Sequence, residues 1–339
     1  MIERSSWVDY AKAVGIILVV YGHVARGLLN AKLPLDEHAF LLIDSIIYTF
    51  HMPLFFFLSG RFFYKTLEKH GRAGLLLNKA DTILYPFVIW SLLQGSFEVA
   101  LSSYTNNNVT FNDVFSLFWR PRAQFWFLYA LFLVFVVSSI VYPLIDRARS
   151  SLLVLVFGAL FICKDDLAFN PATRFIFENM VFFALGVWFN EVKDLFKEKC
   201  KKLIFIFLIF FLCGQYIFHV VLGLTYETGG AMQLALAIIS IFFIVALSMC
   251  LESVRLEWLT YIGASSMTIY LMHILAGSGI RIVLNKLMGI DSIAIHLVLG
   301  VLIGIGAPLL AQVIIRQCGL NFLLAPPKSI AVSSFRYTA

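Results

Sequence analysis

The chain has 339 residues, of which 60% are apolar and only 14% charged, with a formal net charge of +6. Soluble domains carry about 25% charged residues, so this composition excludes a soluble globular protein. The positive balance does not point to nucleic acid either, because the basic residues sit in connections between apolar runs, where they set membrane topology.

Apolar runs of about 20 residues, the length of a membrane-crossing helix, recur along the whole sequence. In chain order they predict spans near 8–29, 39–64, 81–102, 123–145, 150–163, 174–190, 203–224, 231–251, 259–284 and 292–316. The first is too long and too polar inside for a cleaved signal and is expected to remain as a helix. The fifth is short enough to be tilted or partly re-entrant. The expected fold is an all-α polytopic transmembrane helix bundle of about ten spans. One domain is expected over 1–318 and a short soluble tail over 319–339, marked by Pro326 and Pro327. Sixteen Lys and Arg fall in alternate connections and five in the others, Lys193 to Lys202 being the densest group. That bias predicts both termini in the cytoplasm. No repeat or heptad pattern is visible. Cys163, Cys200, Cys213, Cys250 and Cys318 lack metal-site spacing and are read as small core residues, so no metal is expected.

Ionisable residues inside spans are costly and normally face a polar interior. The first run carries four: Asp9, Lys12, His23 and Arg26. At about 100° per residue, Lys12 and His23 lie within about 20° of one another, and Asp9 and Arg26 flank them on the same stripe. The blander reading makes Asp9 and Lys12 an interfacial pair and His23 a satisfied core histidine. In the second run His51 lies mid-span, followed by Pro53, which is expected to kink the helix. Ser59-Gly60 would allow close approach of another helix, and Arg61 either snorkels to lipid or holds a phosphate. Toward the far side lie Gln124, Trp126, Arg174, Glu178, His273 and Arg281. His273 is at about the depth of His23. Trp126 is an interfacial anchor or a stacking platform, and His219 reads as structural.

These residues resemble the integral-membrane acyltransferase family 3. The run with Asp9, Lys12 and His23 resembles its first-helix signature, and FHMPLFFFLSGRFF (Phe50 to Phe63) its second-helix motif, in the form of the fucose 4-O-acetylase-like branch. Lys79 before Tyr85-Pro86, QFWFLYAL (Gln124 to Leu131) and SMTIYLMH (Ser266 to His273) resemble later segments. The likeness runs from about residue 5 to about 315. It departs at Tyr129-Ala130-Leu131, where many relatives carry a Glu, so no acidic role is carried over there.

The resemblance implies an O-acyltransferase using cytoplasmic acetyl-CoA (acyl-CoA), with a glycan or lipid-linked saccharide as acceptor beyond a bacterial inner membrane. Lys12 and His23 are about 16 Å apart along a helix axis, roughly the reach of a pantetheine arm. Phosphates would then sit with Lys12, Arg61 and Lys79, with Asp9 beside Lys12, and the thioester beside His23. His23 is the expected general base, and Arg26 or Arg281 the oxyanion donor. His273 is left three roles: orienting His23, binding sugar, or relaying the acyl group. Trp126, Glu178, His51 and Arg281 are candidate acceptor contacts, Glu178 being alternatively the ion-pair partner of Arg174 or Arg26. The competing class is a secondary transporter or flippase with an intramembrane His/Lys/Arg pathway.

Overall fold

The computed structural model describes residues 6–100, 109–228 and 230–334. Among them there is no strand. Nine helices are long and apolar enough to cross a bilayer: α1 Ser6–Asn30, α2 Glu37–Gly60, α3 Phe63–Ala100, α4 Ala123–Leu144, α6 Pro171–Glu198, α7 Cys200–Val221, α8 Gly230–Val254, α9 Ser266–Leu287 and α10 Ile293–Gln317. The shorter α5, Leu152–Ile162, occupies the fifth predicted range. The chain is therefore an all-α polytopic bundle. Arg4 and Arg336 among the counted charges, the end of the third predicted span and the last five residues of the tail lie outside the described residues.

Local sequence fixes where helices begin and break. Before α6, Asn170 accepts from the Thr173 amide at 2.9 Å while Thr173 Oγ1 accepts from the Asn170 amide at 3.2 Å, with Pro171 at the first helical position. α2 breaks at Thr49 and Phe50. Pro53, four residues beyond Thr49, has no N–H for the Thr49 carbonyl, and its ring crowds that carbonyl. His51 mends the break: its Nδ1 lies 2.8 Å from the Ile47 carbonyl, and the ring is 1% exposed.

α1 is the hub, meeting α2, α8, α9 and α10, whereas α7 stands at the periphery with 11% of its apolar window buried. One close crossing joins α2 to α6. A Cβ at Gly60 would collide with the Phe183 carbonyl and one at Gly186 with the Phe57 carbonyl, so only glycine fits at either place. Gly60 of the Ser59-Gly60 pair thus serves the crossing with α6. Of the five cysteines only Cys200 is buried; Cys213 is exposed on the peripheral α7, and Cys163 and Cys318 are exposed just past the ends of α5 and α10.

The end of the bundle that carries the N-terminus is called the near end below, and the opposite end the far end. At the near end, the segment after α10 docks on α3. Tyr85 donates to the Phe322 carbonyl at 2.8 Å and Trp90 Nε1 to the Leu323 carbonyl at 2.6 Å. The Asp81 carboxylate accepts from the amides of Val332 and Ser333 at 3.0 and 2.9 Å. Polar groups of α3 that face into the bundle need partners, and the returning backbone supplies them.

Candidate active site

At the far end, α1 and α9 bring His23 and His273 together, with ring centroids 5.0 Å apart and planes at 57°. His273 is 1% exposed, and its Nδ1 lies 2.8 Å from the Tyr270 carbonyl and 3.1 Å from that of Ile269. A carbonyl only accepts, so Nδ1 carries a hydrogen. In the neutral ring Nε2 is therefore a lone pair, and it is buried with no hydrogen-bond partner among the described residues. Both rings line a cavity of about 430 Å³, together with Glu98, Arg122, Arg281 and His296.

Arg26 also reaches this cavity, but its guanidinium is held elsewhere. Nε and Nη2 donate to the two carboxylate oxygens of Asp44 at 2.9 and 2.8 Å, a fork matched to a carboxylate. The guanidinium carbon lies 3.5 Å from the centre of the Tyr48 ring, and Nη2 donates to the Tyr226 hydroxyl at 3.2 Å. Tyr226 lies in the connection between α7 and α8. Burial raises its phenol above the ordinary range against the opposing pull of Arg26; it keeps its proton and donates to Glu227 at 2.9 Å. On the opposite wall Arg122 pairs with Glu98 at 3.1 Å; outside the cavity lining, Gln94 and Gln124 bond to each other at 2.7 Å. Arg281 passes α1 at Gly27, next to Arg26 in sequence.

The other expected acceptor contacts do not line this cavity. Trp126 is stacked on Phe175, with centroids 5.8 Å apart and planes at 18°. Glu178 takes the ion-pair course, accepting from Arg174 at 2.9 Å, and Arg174 also pairs with Asp165 at 2.9 Å. His51 is spent on the break in α2 and lies edge-on to Tyr48. Sequence reasoning missed Asp44, Glu98, Arg122 and His296. Asp44 and His296 carried a usable signal, since each is an ionisable residue inside an apolar run, LLIDSIIY and IAIHLVLG.

At the near end Lys12 Nζ is 4.0 Å from Asp9, and Lys79 Nζ stands over the Phe135 ring at 4.5 Å, close enough to Lys12 for their charges to interact. Arg61 is held differently, 4.6 Å from the Trp7 ring centre and 5.2 Å from that of Phe62. Trp7 and Lys12 are five residues apart on α1, about 140° around the helix. Lys12 and Lys79 therefore share one side of α1, and Arg61 takes another. Among the described residues no group of three His, Cys, Asp or Glu side chains is placed to hold a metal ion.

A family model described as an acyltransferase domain matches residues 5–316, nearly the whole chain. The chain belongs to the integral-membrane acyltransferase family 3. No curated protein and no solved structure matches it. As a multi-pass membrane acyltransferase, the protein needs a nucleophile activated by a base, a place for the acyl donor and a place for the acceptor. The far-end histidines fit the first requirement.

Proposed function

We propose that this acyltransferase moves an acetyl group from acetyl-CoA, supplied on the cytoplasmic side of a bacterial inner membrane, to a hydroxyl of a glycan or lipid-linked saccharide on the other side. The observation that carries the reading is the His23–His273 pair on the wall of the far-end cavity. It stands one pantetheine length, about 16 Å along α1, from the cations of the near end. The charge bias of the connections makes the near end cytoplasmic. Lys12 and Lys79 hold the donor phosphates, with Asp9 orienting Lys12, while Arg61 stands to one side as an accessory cation.

In the transfer, the acceptor hydroxyl oxygen attacks the thioester carbonyl as His23 takes the hydroxyl proton. His273, with Nδ1 tied to the backbone, offers Nε2 to share the charge of the imidazolium. The carbon–sulfur bond breaks, an oxygen ester forms, and the CoA thiolate takes up the proton on leaving. A base of this kind contributes typically about 10²–10⁴-fold. Arg281 is the better oxyanion donor of the two arginines, because the Arg26 fork is engaged by Asp44. A donor so placed contributes roughly 2.7–4 kcal/mol.

The test is purified protein in nanodiscs with acetyl-labelled acetyl-CoA, coupled to mass spectrometry of surface glycans from cells with and without the gene. Consumption of the label and gene-dependent O-acetyl groups on glycan are expected. A protein that leaves acetyl-CoA untouched, or cells whose glycans are unchanged, contradicts the proposal.

A further inference from the structure

The proposed transfer uses two of the three histidines on the cavity wall. The third, His296, stands in the first turn of α10 and is 1% exposed. Its Nε2 lies 2.8 Å from the Ile290 carbonyl, so that nitrogen carries a hydrogen and Nδ1 of the neutral ring is a lone pair. Nδ1 is buried and has no hydrogen-bond partner among the described residues. His273 repeats the pattern, with Nδ1 spent on backbone carbonyls and Nε2 buried without a partner. One cavity thus has two imidazoles on its wall, each tied to the backbone by one nitrogen and left with an unsatisfied acceptor on the other. Buried acceptors are rarely left without a donor, and each such case asks for an explanation.

In the proposed transfer His273 Nε2 serves the His23 ring, so the lone pair left for the acceptor is His296 Nδ1, which a hydroxyl other than the reacting one satisfies. The depth also suits a sugar. Gly300 of α10 lies against Val24 of α1, and His296 is one helical turn, about 6 Å, further out. His23 is the neighbour of Val24, and the His273 carbonyl lies against Gly304, two turns from His296, so the offset from the histidine pair is about 6–12 Å, the span of one to two sugar rings. The carboxylate of Glu98 and the guanidinium of Arg122 line the same cavity, and both are groups that bind hydroxyls.

We infer that His296 is a specificity-determining residue: it reads a second hydroxyl of the acceptor, which therefore carries at least two, one given to the His23–His273 pair and another to His296 Nδ1. This rests on the acyl-transfer reading of the cavity and adds to it what the acceptor must carry.

Two substitutions separate this role from a structural one. His296→Gln sets an amide nitrogen where Nε2 stands, keeping a donor for the Ile290 carbonyl, and removes the Nδ1 acceptor. His296→Asn sets a carbonyl oxygen near Nδ1 and gives up the anchor. Each variant replaces the chromosomal copy. Membranes with matched protein levels are given radiolabelled acetyl-CoA, and the initial rate of label entering glycan is measured. Acetyl-CoA binding is measured on the purified proteins. His296→Gln is expected to lower the glycan rate about tenfold, the loss of one hydrogen bond. His296→Asn is expected to stay within about threefold of wild type on the same scale, and both variants should bind acetyl-CoA as wild type does. A His296→Gln protein that acetylates glycan at the wild-type rate overturns the inference. So does the reverse order, in which Asn is the damaged variant and Gln the tolerated one, since that is the signature of the Ile290 anchor alone. Failure of the wild-type arm to bind acetyl-CoA or to label glycan instead sinks the acyl-transfer reading, and the inference with it.

Discussion

At the far end of α1, Arg26 is gripped by both oxygens of Asp44 and faced by the Tyr48 ring, whereas at the near end Lys79 and Arg61 rest against the rings of Phe135 and Trp7. The first arrangement neutralises charge and fixes geometry, with Arg122–Glu98 doing the same across the cavity. The second holds cations in place and leaves much of their charge available, since an aromatic face does not cancel a charge as a carboxylate does. The difference teaches how one helix divides the work. The proposed proton-transfer site needs groups held still, and the proposed site for a polyanionic donor needs positive charge that is not already spent.

The comparison breaks most sharply at Asp44. Replacing it by alanine leaves a largely buried guanidinium without its carboxylate. The expected loss is about 2–3 kcal/mol, below the figure for a fully buried pair because the Arg26 side chain is 30% exposed. Thermal unfolding in detergent reads this directly. Pairing Asp44→Ala with Arg26→Met is expected to recover part of the loss, and a double variant as unstable as the sum of the singles shows that the two are not coupled.

At the near end the expected effect is on binding. Lys12→Ala and Lys79→Ala each raise the acetyl-CoA KM about tenfold and leave kcat nearly unchanged, because a phosphate contact is shared by ground and transition states. Their double variant is less than additive if both grip the same phosphate. Steady-state kinetics in nanodiscs decides, and an unaltered KM in both singles moves the donor elsewhere.

Arg61 sharpens the same contrast with the smallest effect. It stands about 140° around α1 from Lys12, so Arg61→Ala is expected to change the acetyl-CoA KM only a few-fold, on the scale of about 0.5–1 kcal/mol for a stacked cation. Combined with Lys12→Ala it should be additive. Strong coupling between the two shows that they hold one group after all.

The amphipathic logic of a membrane chain makes part of this legible from sequence. The stripe of Asp9, Lys12, His23 and Arg26 follows from helical periodicity alone. The shared depth of His23 and His273 follows from counting residues from the start of each span, and the rings do meet. Partners contributed by other helices were not legible. Arg26 was open to a catalytic role until Asp44, eighteen residues on and across a turn, was seen to fill its fork. Trp126 had an exposed platform's residue type, and only the approach of α6 shows its face covered by Phe175. Gly60 announced a close crossing without saying with which helix. The tail's prolines marked a short soluble extension, but not what it docks on: Asp81, Tyr85 and Trp90 lie some 230 residues or more earlier in the chain.

The account's central claim is that chemistry and donor binding sit at opposite ends of α1. Two variants, His23→Ala and Lys79→Ala, test it in one experiment: equilibrium binding of labelled acetyl-CoA to each purified protein, set beside its rate of acetyl transfer. The account predicts that His23→Ala binds acetyl-CoA as wild type does and transfers at least about 10²-fold more slowly. Lys79→Ala should bind more weakly and still transfer when saturated. A His23→Ala protein that transfers at close to the wild-type rate, or that has lost donor binding while Lys79→Ala has kept it, contradicts the account.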